Sequence, residues 1–437
     1  MFNRFFLILL GILFFEQSFG QKVTYYEHIA PIIQSKCAPC HRPGEAGPFS
    51  LLSYADVAKR ASFIKDVVTS GYMPPWKPDN HYRLFANNRS LTDKEKNTII
   101  NWIENDAPEG VDKKRKPSAQ PLLAGTQYTR KPDFTLSMKN AFIVKGDNEE
   151  RFIVFKIPFN MATAKNVEAM EFVCNNKKIV HHANFAIHPV ADSIDIESTA
   201  DYVNLTDDSR TNYDQYLPFK EKMTYYGGWI PGTSFESYPA DLGWVMPKRG
   251  VILLTIHFAP LAKAEEIKAS INFFFKETPV KRIVNVVSLG SGGVGESSID
   301  PYFMIKADSV KKFTLKILTP QDQSLLYVWP HMHLLGKSFK SYAVTPLGDT
   351  IRLVSIPSWD FRWQEIYRFK NLIKVPKGSV LTIEGTYDNT RNNPNNPNNP
   401  PKMVFSANDM KSTDEMMTML LVFLTYNEGD EIKVLDH

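Results

Sequence analysis

Val251-Ile252-Leu253-Leu254-Thr255-Ile256-His257-Phe258 is the stretch that decides the fold class. It is short, apolar and rich in β-branched and aliphatic side chains, which reads as a strand. Side chains alternate across a strand. Ile252, Leu254, Ile256 and Phe258 therefore share a face free to pack a core, and His257 projects from the opposite one.

Working outward, Arg151–Phe159, Ala269–Phe275, Phe313–Leu318 and Ser379–Tyr387 repeat the pattern, each bounded by turn residues. No long amphipathic helix is legible after residue 115. Many short strands over roughly 300 residues predict two all-β jelly-roll or β-sandwich domains, at 136–288 and 289–437. Their boundary is set by the glycines of Ser288–Gly295, and the Asn/Pro tract Asn392–Pro401 reads as an irregular loop.

Toward the N-terminus the period changes to a helical one. Ser53 reads as an N-cap before Val57, Ala61, Ile64 and Val68, which share one helical face. Thr92-Asp93-Lys94-Glu95 is a capping box ahead of Ile99, Ile100 and Ile103, and Pro108 and Gly110 stop that helix. Thr24 could cap a first helix running into Cys37. An all-α domain is expected at 22–115. A Pro-, Lys- and Ser-rich linker follows at 116–135, with a solvated basic run at Lys113–Lys116.

A chain of 437 residues with 43% hydrophobic and 22% charged residues is that of a folded, multidomain protein. A net charge of only +4 asks for no nucleic-acid partner. Arg4, the apolar run Phe5–Phe15, and small Ser18 and Gly20 predict a signal peptide at 1–20, cleaved near Gly20. Export to a periplasm or the exterior follows, and no later segment is apolar enough to span a membrane. Three cysteines make no disulfide framework, and Cys174 reads as a buried small hydrophobe.

Cys37-Ala38-Pro39-Cys40-His41 is a CxxCH motif, the spacing by which two thiols reach one porphyrin edge with the imidazole beneath it. A zinc site would want further Cys or His at matching spacing, and none appears in this region. The expected cofactor is one covalently attached c-type haem, held by Cys37, Cys40 and His41. Met73, on the proline-stiffened loop Gly71-Tyr72-Met73-Pro74-Pro75-Trp76, is the expected sixth ligand, with His28 and His81 as competitors. Motif, methionine loop and final helix together resemble a small class I cytochrome c domain.

Five histidines stand in three apolar, strand-like settings: Val180-His181-His182-Ala183, Thr255-Ile256-His257-Phe258 and Pro330-His331-Met332-His333-Leu334. On a strand His331 and His333 point to one side and can grip one ion. Adjacent His181 and His182 point apart on an ideal strand and need a bulge or strand end to share one. Asp414-Glu415-Met416-Met417 precedes a last apolar strand, with Met419 close by. Imidazole suits zinc and copper alike, whereas a thioether favours reduced copper.

In this order the residues resemble the copper type II, ascorbate-dependent monooxygenases, which include the peptidylglycine α-hydroxylating and dopamine β-monooxygenases. The resemblance spans roughly residues 130–430, and His-Met-His-Leu-Leu-Gly-Lys is its most specific stretch. It implies two jelly-roll domains facing a solvent cleft, each with one copper ion. His181, His182 and His257 would bind the electron-transfer copper. His331, His333 and Met416 would bind the copper at which dioxygen is activated and a substrate C–H bond hydroxylated. Implied partners are dioxygen, a small-molecule or peptide-like substrate, and either ascorbate or another reductant or a redox protein donor. Trp329 stands where the amidating branch has a carboxylate-binding arginine, and Leu420 where it has a tyrosine. The competing expectation is a non-catalytic haem–copper electron-transfer or copper-binding protein.

Overall fold

The computed structural model describes residues 22–111, 126, 128–206, 210–233, 235–238, 241–406, 412–433 and 435. The expected signal peptide, the basic run and most of the expected linker lie outside them.

Two pairs of sheets dominate. In the first, a six-stranded sheet runs Phe134–Ser137, Ala269–Lys276, Lys165–Cys174, Leu242–Met246 and Arg282–Ile283, with Glu236–Ser237 beside it. It faces a five-stranded sheet ordered Tyr202–Asn204, Arg151–Asn160, Arg249–Phe258, Val180–Pro189 and Tyr225–Trp229. Ile252, Leu254, Ile256 and Phe258 fill the core between the two sheets, together with Phe185, Trp244 and Phe273. On the outer face of the same strand Val251 and Leu253 pack a second, smaller core with Phe152, Tyr216 and Phe219. The founding strand is thus buried on both sides.

The second pair comprises a four-stranded sheet (Asn285–Gly290, Thr418–Thr425, Gln323–His331, Tyr367–Val375) and a five-stranded one (Ile299–Asp300, Val310–Leu318, Val380–Asp388, Gly336–Val344, Thr350–Ile356). Leu325, Val328, Met417, Met419 and Leu421 line the core between these sheets. Leu326, Tyr327, Val422 and Leu424 turn the other way and join the first sandwich's core. Alternation along two strands therefore welds the halves together through one shared sheet. The chain crosses from one half to the other between Ile283 and Asn285.

The expected all-α N-terminal domain is not what forms. Helix accounts for only about 14% of the described residues, and the helices Ala30–Lys36, Tyr54–Ala58, Ala61–Thr69 and Asp93–Glu104 are short. Between the last two the backbone is irregular and belongs to the second sandwich. Phe85 bridges to Phe369 and is a member of that sandwich's core. Asp79 and Ala86 donate backbone N–H to the carbonyls of Ser355 and Arg368 at 2.8 Å each. Helical periodicity was real: Val57, Ile64, Val68 and Ile99 do share a small core with Trp102. Yet Pro74, Pro75 and Pro78 stop helix propagation, and the apolar residues beyond them find β-partners far along the chain.

Candidate metal centre

The strand Val180–Pro189 pairs antiparallel with Arg249–Phe258, and the register settles how adjacent histidines can act together. His182 lies opposite His257, but Val180 lies opposite Phe258. His181 is the extra residue of a β-bulge, and the bulge brings it round beside His182. The Nδ1 atom of His181 is 3.1 Å from Nδ1 of His182 and 3.1 Å from Nδ1 of His257. The three rings each offer a ligand nitrogen within 4.8 Å of one another. His257 donates from Nε2 to Glu150 Oε2 at 2.9 Å and stacks on Phe152, ring centroids 3.9 Å apart. With Glu150 ionised, that bond holds the proton on Nε2 and leaves Nδ1 a lone pair; burial raises the Glu150 pKa to about 7. Burial, reinforced by the neighbouring imidazoles, lowers all three pKa values, that of His181 to about 4, so the rings are neutral and free to ligate.

His331 ends the strand Gln323–His331, and His333 lies just past it. Their Nε2 atoms face each other at 3.1 Å. His331 Nδ1 donates to Gln364 Oε1 at 2.5 Å, and His333 Nδ1 donates to the Asp414 carbonyl at 3.0 Å. With each proton committed to Nδ1, two Nε2 lone pairs converge, an arrangement that a cation between them stabilises. Glu415 clamps the turn: its fully buried carboxylate accepts from the N–H groups of His333 and Leu335 at 3.0 and 2.6 Å. Burial pushes its pKa up to about 8, against those donors and the N–H of Met416. Met417 and Met419 point into the second core, whereas Met416 lines the same cavity as His331. Tyr387 fixes the Met416 backbone by donating to its carbonyl at 2.7 Å.

Each sandwich contributes one set, and the sets meet. The rings of His182 and His331 are 6.2 Å apart, centroid to centroid. Phe361 fills the angle between them, with its centroid 5.1 Å from His181, 5.9 Å from His257 and 5.7 Å from His333. Beside it a cavity of about 510 Å³ runs between the sandwiches, touching His182, His331 and Met416 at one end.

The CxxCH segment packs against the loop that follows the strand Tyr225–Trp229, at Gly232. Cys37 and Cys40 form no disulfide. His41 Nδ1 lies 3.1 Å from the Phe49 carbonyl, which leaves Nε2 as the free ligand atom. Two free thiols at this spacing with an oriented imidazole are a donor set that fits a c-type haem. Gly232, at φ +90°, lies where a side chain would meet the Cys40 sulfur at 2.6 Å, so only glycine lets that backbone approach. Arg89 donates to the Pro231 carbonyl at 3.4 Å and pairs with Glu365, next to the Gln364 that holds His331. Met73 anchors its loop through its N–H to the Val67 carbonyl at 3.0 Å. His28 Nδ1 accepts from the Thr24 N–H at 3.2 Å, and His81 lines a groove with Tyr82, Lys340 and Arg352 on the second sandwich.

Sequence reasoning did not single out Glu150, Gln364, Phe361 or Glu415. Glu415 stood beside Met416 and carried a signal. Glu150 and Gln364 are 107 and 33 residues from the histidines they orient, and no local pattern marks them.

No family model and no curated protein matches this chain. Among solved structures, PNGF-II is similar at 9% identity with a TM-score of 0.27, covering 67% of this chain; the chain spans 65% of that protein's length. Particles derived from infectious bursal virus give 9% identity, coverages of 68% and 75%, and a TM-score of 0.16. A variant of B. subtilis oxalate decarboxylase gives 10% identity, coverages of 68% and 78%, and a TM-score of 0.14. Likenesses at this level carry no functional argument.

Proposed function

We propose that the chain is a copper-dependent monooxygenase that hydroxylates a C–H bond of its substrate with dioxygen and draws electrons through a haem held at Cys37, Cys40 and His41. The observation that carries the reading is the pair of Nε2 atoms 3.1 Å apart whose protons are both held on Nδ1. It is joined by a three-histidine set 6.2 Å away across His182 and His331.

His181, His182 and His257 would hold one copper through Nδ1, and His331 and His333 the other through Nε2, with the Met416 thioether as a third donor. Bound copper supplies one-electron redox chemistry and activation of dioxygen. The protein's part is to keep five imidazoles neutral and aimed. Glu150, Gln364 and the Asp414 carbonyl fix the rings, Glu415 fixes the turn, and Phe361 packs against His181, His257 and His333. The cavity against His331 and Met416 favours an enzyme over a pure electron carrier, which needs no substrate volume. Signal-peptide export and an external or protein reductant complete the reading.

Copper loading followed by metal analysis is the first test. Two coppers per chain are expected, falling to one in His331→Ala/His333→Ala. Oxygen uptake coupled to a hydroxylated product is the second. One copper in the intact protein, or zinc that copper cannot displace, overturns the reading.

A further inference from the structure

Arg89 stands where the CxxCH segment meets both sandwiches. It closes the irregular stretch whose Phe85 joins the second sandwich's core. Its guanidinium is largely buried and donates to the Cys40 sulfur. The Pro231 carbonyl, in the loop after Tyr225–Trp229, accepts from Nη1 at 3.4 Å. On the other side the Glu365 carboxylate pairs with Nη2. A side chain at Gly232 would strike both the guanidinium and the Cys40 sulfur, so glycine is what lets the three groups meet.

Glu365 leads on to the metal centre. The residue before it is Gln364, whose Oε1 accepts from His331 Nδ1 at 2.5 Å and whose Nε2 donates to the Phe361 carbonyl at 3.0 Å. Gln364 and Glu365 lie in the irregular segment before the strand Tyr367–Val375, outside its ladder. Side-chain partners therefore decide where Gln364 sits. Glu365 is only 5% exposed. A carboxylate taken out of water keeps its charge at low cost only beside a cation, and Arg89 supplies one. One guanidinium thus spans from the CxxCH segment to the group next to the one that orients a metal-ligating histidine. The rings of His181, His182 and His257 are oriented differently, by one another and by Glu150.

We propose that Arg89 is a positioning residue that couples the CxxCH segment to the His331/His333 set. Its guanidinium donates to the Cys40 sulfur and holds Glu365, and with it keeps Gln364 where it accepts from His331 Nδ1. The two charges of this pair act on a haem at Cys40 with opposite sign. Without Arg89 the buried Glu365 carboxylate is left unpaired within one guanidinium's span of the sulfur and disfavours an added electron. Without the carboxylate, the lone guanidinium favours it. Either loss releases Gln364 and loosens His331. The inference rests on the haem and copper reading given above.

The test uses the full, haem-bearing chain and reads equilibria rather than turnover. Cuprous ion is titrated against a chromophoric chelator, with His331→Ala/His333→Ala as the background that isolates the three-histidine set. The haem midpoint is followed optically with redox mediators. Arg89→Leu and Glu365→Gln should each weaken cuprous binding at the His331/His333 set about tenfold and leave the three-histidine set within about twofold. They should move the haem in opposite directions. Arg89→Leu should shift its reduction equilibrium about tenfold toward ferric, which is ~59 mV, and Glu365→Gln about tenfold toward ferrous. Arg89→Lys keeps the charge but not the fork, so it should leave the midpoint near that of the wild type and still lower the copper affinity. If Arg89→Leu does not fold, Glu365→Gln and Arg89→Lys carry the same test. An arginine that only stabilised the fold would lower the urea midpoint and affect both sets alike. Unchanged copper affinity, equal losses at both sets, or midpoints of the two variants moving the same way overturns the proposal. A wild-type chain that takes up neither haem nor copper overturns it together with the monooxygenase reading. A wild type that takes up both, with variants that change neither equilibrium, overturns this proposal alone.

Discussion

His182 and His331 belong to different sandwiches, and their rings are 6.2 Å apart. Two copper ions held by the sets to which they belong would be near neighbours. In the fully oxidised, doubly loaded protein their spins should couple. The integrated electron paramagnetic resonance signal should then fall clearly short of two spins per chain. His331→Ala/His333→Ala should restore one full, uncoupled signal. A two-spin, uncoupled spectrum from the intact protein would place the ions far apart and break the shared-centre geometry.

Neighbouring methionines provide a sharper contrast. Met416 lines the cavity, and Met417 is wholly buried against Gly385 and Tyr387 in the second core. Met416→Ala should lower affinity for cuprous ion at the His331/His333 set and barely alter the urea midpoint. Met417→Ala should cost about 2–5 kcal/mol of stability and leave metal affinity in the folded protein intact. Reversed outcomes would assign the thioether to Met417.

The sequence made strands legible wherever alternation was local. The five runs expected as strands are strands, and His257 lies opposite the apolar row of its own strand. The requirement for a bulge at His181–His182 could be stated from parity alone, and the register supplies it. What the sequence could not carry was long-range. Phe85 shows the failure: within a helical stretch it reads as part of a helical domain, but it bridges to Phe369, 284 positions on. Glu150 likewise gains its role only when two strands and the segment after residue 411 converge on it.

Orientation of the rings should be worth as much as the ligands' presence. Glu150→Gln keeps the shape but weakens the acceptor for His257 Nε2, and Gln364→Leu deprives His331 of its Nδ1 acceptor. Each should weaken copper binding at its own set by about 10–100-fold. Competition titration with a chromophoric chelator would read this for the two sets separately. An effect confined to stability, with metal affinity unchanged, would make both residues structural.

Far from the metal centre, Arg282 and Asp430 supply a pH test of how the halves are joined. Arg282 lies on a strand paired with the first sandwich, and Asp430 follows the strand Thr418–Thr425 of the second. Asp430 is wholly buried and accepts from Arg282 Nη1 and Nη2 at 2.7 and 2.6 Å and from Ser324 Oγ at 2.7 Å. Burial alone would raise its pKa, but the bonds from Arg282, Ser324 and the Asn427 N–H outweigh it and hold the value at about 2. An unfolded Asp titrates near ~3.9. The folded value is the lower one, so the pair stabilises fully above pH ~4, and that contribution is lost as the pH falls toward 2. Asp430→Asn leaves the guanidinium without its charge partner and should cost about 3 kcal/mol at neutral pH. It should also flatten the decline in urea midpoint between pH ~4 and ~2 relative to the wild type. An equally steep decline in the variant would mean that other carboxylates govern acid unfolding and that this pair does not hold the sandwiches together.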